Sequence, residues 1–170
     1  MKLIRPEDII VEKLEALIGI IIAKLIEPDM KFKNVLEIDE HRIKDFKENY
    51  GIEGIILDVD ETLRNKTDKI PECNKQWINL MKKHFKVIIV SNGKSKMLAE
   101  YFSSIGIDYI FFAHKPAKNG FNKACKSIGV RPEKIIVIGN SLFDDIYGAQ
   151  RSKMKGALIK EVQEDGDENR

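Results

Sequence analysis

Residues 55–63, Ile-Ile-Leu-Asp-Val-Asp-Glu-Thr-Leu, carry an apolar run straight into two carboxylates one residue apart, Asp58 and Asp60. Alternate side chains of a strand leave on the same side, so both acids converge on one point, where like charges resist joint ionisation until a cation neutralises them. Oxygen ligands of this kind suit a divalent ion such as Mg²⁺. Three more polar clusters follow apolar runs: Ser91-Asn92-Gly93, His114-Lys115-Pro116, and Gly139-Asn140 with Asp144 and Asp145 beyond. Together the four clusters hold what phosphoryl transfer requires: an in-line nucleophile, neutralisation of the phosphoryl oxygens, and a proton for the departing oxygen. Asp58 is the expected nucleophile, passing through an aspartyl-phosphate, and Asp60 the expected acid and base. Ser91 and the amide of Asn92 are expected to hydrogen-bond the phosphoryl group. Lys115 is expected to place a charge beside Asp58, and Asn140 and Asp145 to complete a Mg²⁺ site with Asp58 and Asp60.

Those clusters need a scaffold that gathers them. Apolar runs bounded by turn residues recur at 54–57, 86–90, 109–113 and 134–138, with a weaker one at 157–159. Stretches of helical period lie between them at 72–84, 94–105, 119–128 and 142–151. This alternation predicts an α/β domain, a doubly wound parallel sheet of about five buried strands. Ligands bind such sheets outside the carboxyl ends of the strands, and each of the first four runs ends in one polar cluster.

With these residues in view, the chain resembles the haloacid dehalogenase (HAD) superfamily of aspartate-nucleophile phosphatases. The first motif of that family, Asp-x-Asp-x-Thr-Leu, is matched at Asp58, Asp60, Thr62 and Leu63, the second at Ser91 and Asn92, and the third at Lys115-Pro116. The fourth departs from the pattern: Asn140 stands where the family has a carboxylate, and Asp144 and Asp145 follow. The likeness is nearer to the YqeG-like branch of type IIIA, on the stretches 28–35, 88–92 and 139–148. The resemblance implies a Rossmann-like fold, Mg²⁺ as cofactor, Thr62 as a further substrate contact, and, from mitochondrial relatives, a phosphatidylglycerophosphate-like lipid as one class of substrate. The interval between the first and second clusters holds one loop and one helix, too little for an inserted cap domain, so an open site and a large or surface-borne substrate are expected.

Three segments are expected: an apolar helical extension over 1–27, the phosphatase domain over 28–163, and a polar, frayed tail over 164–170. Within the first, residues 11–26 are strongly apolar but short for a bilayer span. Packing on the domain or on a second copy is favoured over a peripheral membrane helix, because the charged face is thin. A formal charge of +2, from 29 basic and 27 acidic residues, does not suggest a nucleic-acid binder. No cleavable signal is evident, and Cys73 and Cys125 lack metal or redox spacing, so a reducing cytoplasm is expected, with both thiols inert. His41, His84 and His114 are read as surface residues and Trp77 as a core residue. Glu61 and Arg64 share the loop with the acids and are given no role. Asn140 keeps a second class of function open: a weak or inactive relative that binds a phosphorylated ligand or partner.

Overall fold

The computed structural model describes residues 17, 21, 25, 26–65 and 69–166. Six strands form one sheet: β1 Met30–Phe32, β2 Gly54–Leu57, β3 Lys86–Val90, β4 Asp108–Ile110, β5 Ile135–Gly139 and β6 Lys155–Ile159. Every pairing is parallel, and the order across the sheet is β1-β6-β5-β2-β3-β4. The three central strands are runs of Ile, Val and Leu, which suit a pleated surface covered on both faces. Their side chains alternate between two cores. Ile55, Leu57, Ile89, Ile136 and Ile138 pack with Phe46 of α1 (Glu40–Glu48), Trp77 and Met81 of α2 (Glu72–His84) and Phe102 of α3 (Lys96–Ser104). Ile56, Ile88, Val90 and Val137 face Phe121 and Ala124 of α4 (Lys118–Ile128) and Ala149 of α5 (Gly148–Arg151).

This is the doubly wound sheet expected, with one strand more than the five predicted. β1 is an edge strand of three residues with Lys31 at its centre and Lys33 just after it, too short and too charged to read as an apolar run. α1 was also not foreseen. Asp39 caps it by accepting from Arg42 N at 3.0 Å, and only Ile43 and Phe46 are buried, so its periodic signal is thin. β4 is shorter than predicted because Phe112 adopts φ 49°, a left-handed turn that ends the extended chain. Residues 142–151 are not one regular helix: Leu142–Tyr147 is a π-helical segment that runs into α5.

The tail does not fray at its start. Asp165 accepts from Glu72 N and Cys73 N at 2.8 and 3.0 Å and so caps α2, while Asn65 donates to Glu164. Residues 167–170 and most of the apolar extension over 1–27 lie outside the described residues. Leu17, Ile21 and Leu25 are helical and exposed. Among the described residues no helix is long and apolar enough to cross a membrane. Between β2 and β3 the described residues form a tight turn at 60–64 and then α2.

Candidate active site

From β2 the chain winds outward through β3 and β4, then crosses back to β5 and winds the other way to β6, so β2 and β5 form the point where the winding reverses, and the site opens at their carboxyl ends. Asp58 follows β2 directly, its amide still held in the sheet by Ile138 O at 3.0 Å. The chain then turns tightly: the amides of Thr62, Leu63 and Arg64 all point to Val59 O, and Glu61, with φ 59°, donates to Arg64 O at 2.7 Å. That hairpin brings Arg64 back over Asp60, and its Nε and Nη2 both reach Asp60 Oδ1 at 2.9 Å. Asn74, fully buried on α2, donates to Leu63 O at 2.9 Å and fixes the hairpin from below.

Lys115 is the centre of the site. Its buried Nζ lies 2.6 Å from Asp58 Oδ1 and 2.6 Å from Asp145 Oδ1. Asn92 places it: Lys115 N donates to Asn92 Oδ1 at 2.7 Å, and Asn92 Nδ2 donates to Lys115 O at 3.2 Å. The Asn92 side chain thus clasps the lysine backbone. Thr62, expected as a substrate contact, is fully buried and donates to Asp58 Oδ2 at 3.2 Å, with Asn140 Oδ1 3.5 Å from the same hydroxyl. Both are placed to position other groups. Ser91 is buried at the end of β3, where its hydroxyl accepts from Gly93 N at 3.1 Å. A Cβ at Gly93 would stand 3.6 Å from both Asp60 Oδ2 and Ser91 Oγ, so the absence of a side chain there keeps a cradle open between them.

Asp145 is held from the π-helical segment, accepting from Ser141 N at 3.0 Å while it pairs with Lys115. The wide turn brings it against Gly139, where a Cβ would lie 2.3 Å from its carboxyl carbon. Burial pushes the Asp58 carboxyl up to about 7, Asp145 adds to the rise, and Lys115 opposes it. Burial alone would pull Lys115 down, but Asp145 and Asp58 outweigh it and hold the ammonium protonated beyond its usual range. Asp144 is raised too, by burial first and then by Asp145.

Two buried carboxylates around one ammonium leave a negative charge in excess, and the donors are all oxygen. That chemistry fits a hard divalent cation, with Asp58, Asp145 and the Asn140 amide oxygen as the groups able to hold it. Asp60, expected among the ligands, is turned to Arg64. Among the described residues no three His, Cys, Asp or Glu side chains group at ligating distance.

Arg64 and Tyr109 are the site residues that the sequence reading left without a role. Arg64 carried a signal, a cation four residues from Asp60 in one loop. Tyr109 carried none, since its place beside Ser91 comes from the β3 and β4 pairing. The remaining residues stand much as expected. Trp77 is buried and donates to Ile38 O at 3.0 Å, His41 and His114 are exposed, and His84 is half-buried. Both cysteines are free; burial and Asp165 push the Cys73 thiol up to about 11, and burial raises Cys125.

An all-parallel sheet with an acid, lysine and acid triad at its winding reversal defines a class of α/β hydrolase, and comparison with known proteins places the chain within it. A model of haloacid dehalogenase-like hydrolases matches residues 71–153, and one described as mitochondrial PGP phosphatase matches residues 13–102. The probable phosphatase YqeG of Bacillus subtilis is 32% identical over 82% of this chain and 80% of its own length. A glyceraldehyde 3-phosphate phosphatase of Pyrococcus furiosus is 30% identical over 54% of the chain, which spans 42% of that protein. A HAD family enzyme of Bacteroides thetaiotaomicron, crystallised with magnesium and inorganic phosphate, superposes with TM-score 0.56 over 71% of this chain and all of its own, at 11% identity. The chain belongs to the haloacid dehalogenase-like hydrolases, in the YqeG-like branch of phosphatases.

Proposed function

We propose that the chain is a Mg²⁺-dependent phosphomonoesterase that works through an aspartyl-phosphate on Asp58. The observation that carries this reading is the Lys115 ammonium seated 2.6 Å from both Asp58 and Asp145 at the mouth of the central strand. Lys115 favours the ionised form of Asp58 and aims its carboxylate, while the Thr62 hydroxyl steadies the other oxygen. An Asp58 oxygen bonds to phosphorus as the ester bond breaks, and the departing oxygen takes its proton from Asp60. Asp60 then takes a proton from water, whose oxygen attacks phosphorus and frees Asp58 with release of phosphate. Arg64 engages Asp60 Oδ1, so Oδ2, which borders the Gly93 cradle with Ser91, is the oxygen assigned to carry the proton. Ser91 bonds the phosphoryl group in that cradle. Asp58, Asp145 and Asn140 would hold Mg²⁺, which would supply charge neutralisation on the phosphoryl oxygens. The Bacteroides relative, with both magnesium and phosphate bound, supports the choice of ion.

The open sheet edge favours a phosphate on a large or surface-borne substrate, and the PGP phosphatase model points to a phosphorylated lipid head group. One observation favours a second reading, a weak or inactive phosphate binder: Asn140 brings an uncharged oxygen to a site where, among the described residues, two carboxylates group around Lys115. Hydrolysis of an aryl phosphate with and without Mg²⁺ separates the two. The expected result is Mg²⁺-dependent turnover that Asp58→Asn abolishes; equal turnover by the variant, or none in the wild type, removes the enzyme reading. Parallel assays on phosphatidylglycerophosphate and glyceraldehyde 3-phosphate are expected to favour the lipid.

A further inference from the structure

Beside the candidate site, the loop after β4 turns two consecutive aromatic rings outward. Phe111 and Phe112 are 44% and 54% exposed, although in an extended strand one of two successive side chains would face inward. The cause is the left-handed backbone at Phe112, φ 49°, a conformation that bulky residues rarely adopt and that is kept where the surroundings enforce it. The rings pack edge to face with centroids 5.7 Å apart, and Lys94 Nζ stands 5.3 Å and 5.9 Å from their centres. They are anchored below: Phe111 lies 6.2 Å from Tyr109, which lies 6.0 Å from the fully buried Phe102. This ladder borders the candidate site, since Ser91 N donates to Ile110 O at 2.9 Å and Ala113 N donates to Ser91 O at 3.1 Å.

Lysines predominate around this rim, with Lys96 paired to the exposed Glu100 at 3.7 Å. Residues 86–99 and 109–132 contain no Asp or Glu, and Lys94, Lys96 and Lys118 are exposed there along with the apolar Met97. The site's acids follow β2 and β5. Exposed aromatic rings flanked by lysines are the combination that partitions into the head-group region of an anionic bilayer: the rings enter the interface and the ammonium groups pair with phosphate.

We propose that Phe111, Phe112 and Lys94 form a docking rim that seats the candidate site on an anionic lipid surface, so that a head-group phosphate meets Asp58 from the bilayer side. This deepens, and rests on, the reading of the site as a phosphatase of a phosphorylated lipid. Phe112→Trp in the full chain tests it, because the native Trp77 is buried and its emission serves as a constant background. Mixed vesicles of phosphatidylcholine and phosphatidylglycerol are expected to shift the introduced indole's emission to the blue, and brominated acyl chains to quench it. Phosphatidylcholine alone is expected to do neither. Lys94→Glu in the same background is expected to weaken partitioning by about fivefold or more. An emission that ignores the mixed vesicles overturns the proposal, whether or not the protein sediments with them, as does Lys94→Glu without effect. Phe111→Trp provides an independent reporter if Phe112→Trp does not fold. Turnover of a soluble aryl phosphate, measured on the wild type, keeps the two readings apart. Mg²⁺-dependent turnover with a silent indole removes the docking rim alone, and a shifted indole without turnover removes the phosphatase reading alone.

Discussion

At the scale of single residues, the site is a charge balance with one cation too few. Asp58 titrates near 7 in the folded chain against an ordinary value of 3.8, because burial and Asp145 outweigh Lys115. Between those values the folded state holds a proton that the unfolded chain has released, so stability without metal falls as pH rises from about 4 to about 7. Asp58→Asn is therefore expected to raise stability in chelator above pH 7 by an amount on the order of 1–3 kcal/mol, seen as a higher thermal midpoint, with the gain fading toward pH 4. Melts across that range check this, and a gain independent of pH would assign it to something other than charge. Asn140→Asp is expected to tighten Mg²⁺ binding in a titration, since it adds charge to an oxygen already beside Thr62. Unchanged affinity would leave the site to Asp58 and Asp145. Arg64→Ala is expected to lower kcat by roughly tenfold to a hundredfold in a phosphatase assay, because it releases the Asp60 side chain from its orientation. Arg64→Lys is expected to recover little, because one ammonium cannot replace two guanidinium nitrogens on the same oxygen.

At the scale of elements, the most consequential feature is the π-helical segment Leu142–Tyr147. Its wide turn, capped by Ser141 at the amide of Asp144, brings Asp145 back over β5 and against Gly139. Gly139→Ala puts a methyl group where the Asp145 carboxyl stands, so a loss of about 1–3 kcal/mol in urea unfolding is expected, together with a sharp fall in phosphatase turnover. Wild-type stability and turnover would show that Asp145 can move without cost to the triad. The long helix α2 and the buried strands β2, β3 and β5 were legible in the sequence because their apolar residues follow one period over many positions. The edge strand β1 and the small helix α1 bury too few side chains to write such a pattern. β4 was overextended for a related reason: Phe111, Phe112 and Ala113 continue its apolar run, but a left-handed turn takes them elsewhere.

At the scale of the whole molecule, two cores share one sheet, so neither can dissolve without exposing the strands that bound the other. One cooperative unfolding transition is expected, with Trp77 fluorescence and far-ultraviolet circular dichroism giving the same midpoint; separated midpoints would show the two faces to be independent. The sheet order also explains which site residues could be named in advance. Asp58, Asp60, Ser91, Lys115 and Asp145 each end a strand or open the segment after one, so period and spacing alone sent them to a single edge. The sequence by itself determined the doubly wound class and the identity of the groups that meet there, because burial pattern and residue chemistry are local properties. Tertiary structure alone decided that Lys115 bridges Asp58 and Asp145, that Asn92 and Thr62 turn to position their neighbours, that Arg64 takes hold of Asp60, and that Tyr109 comes under Ser91. Those are contacts a few ångströms long between residues dozens of positions apart or folded over a tight hairpin, and no linear spacing encodes which way a side chain turns.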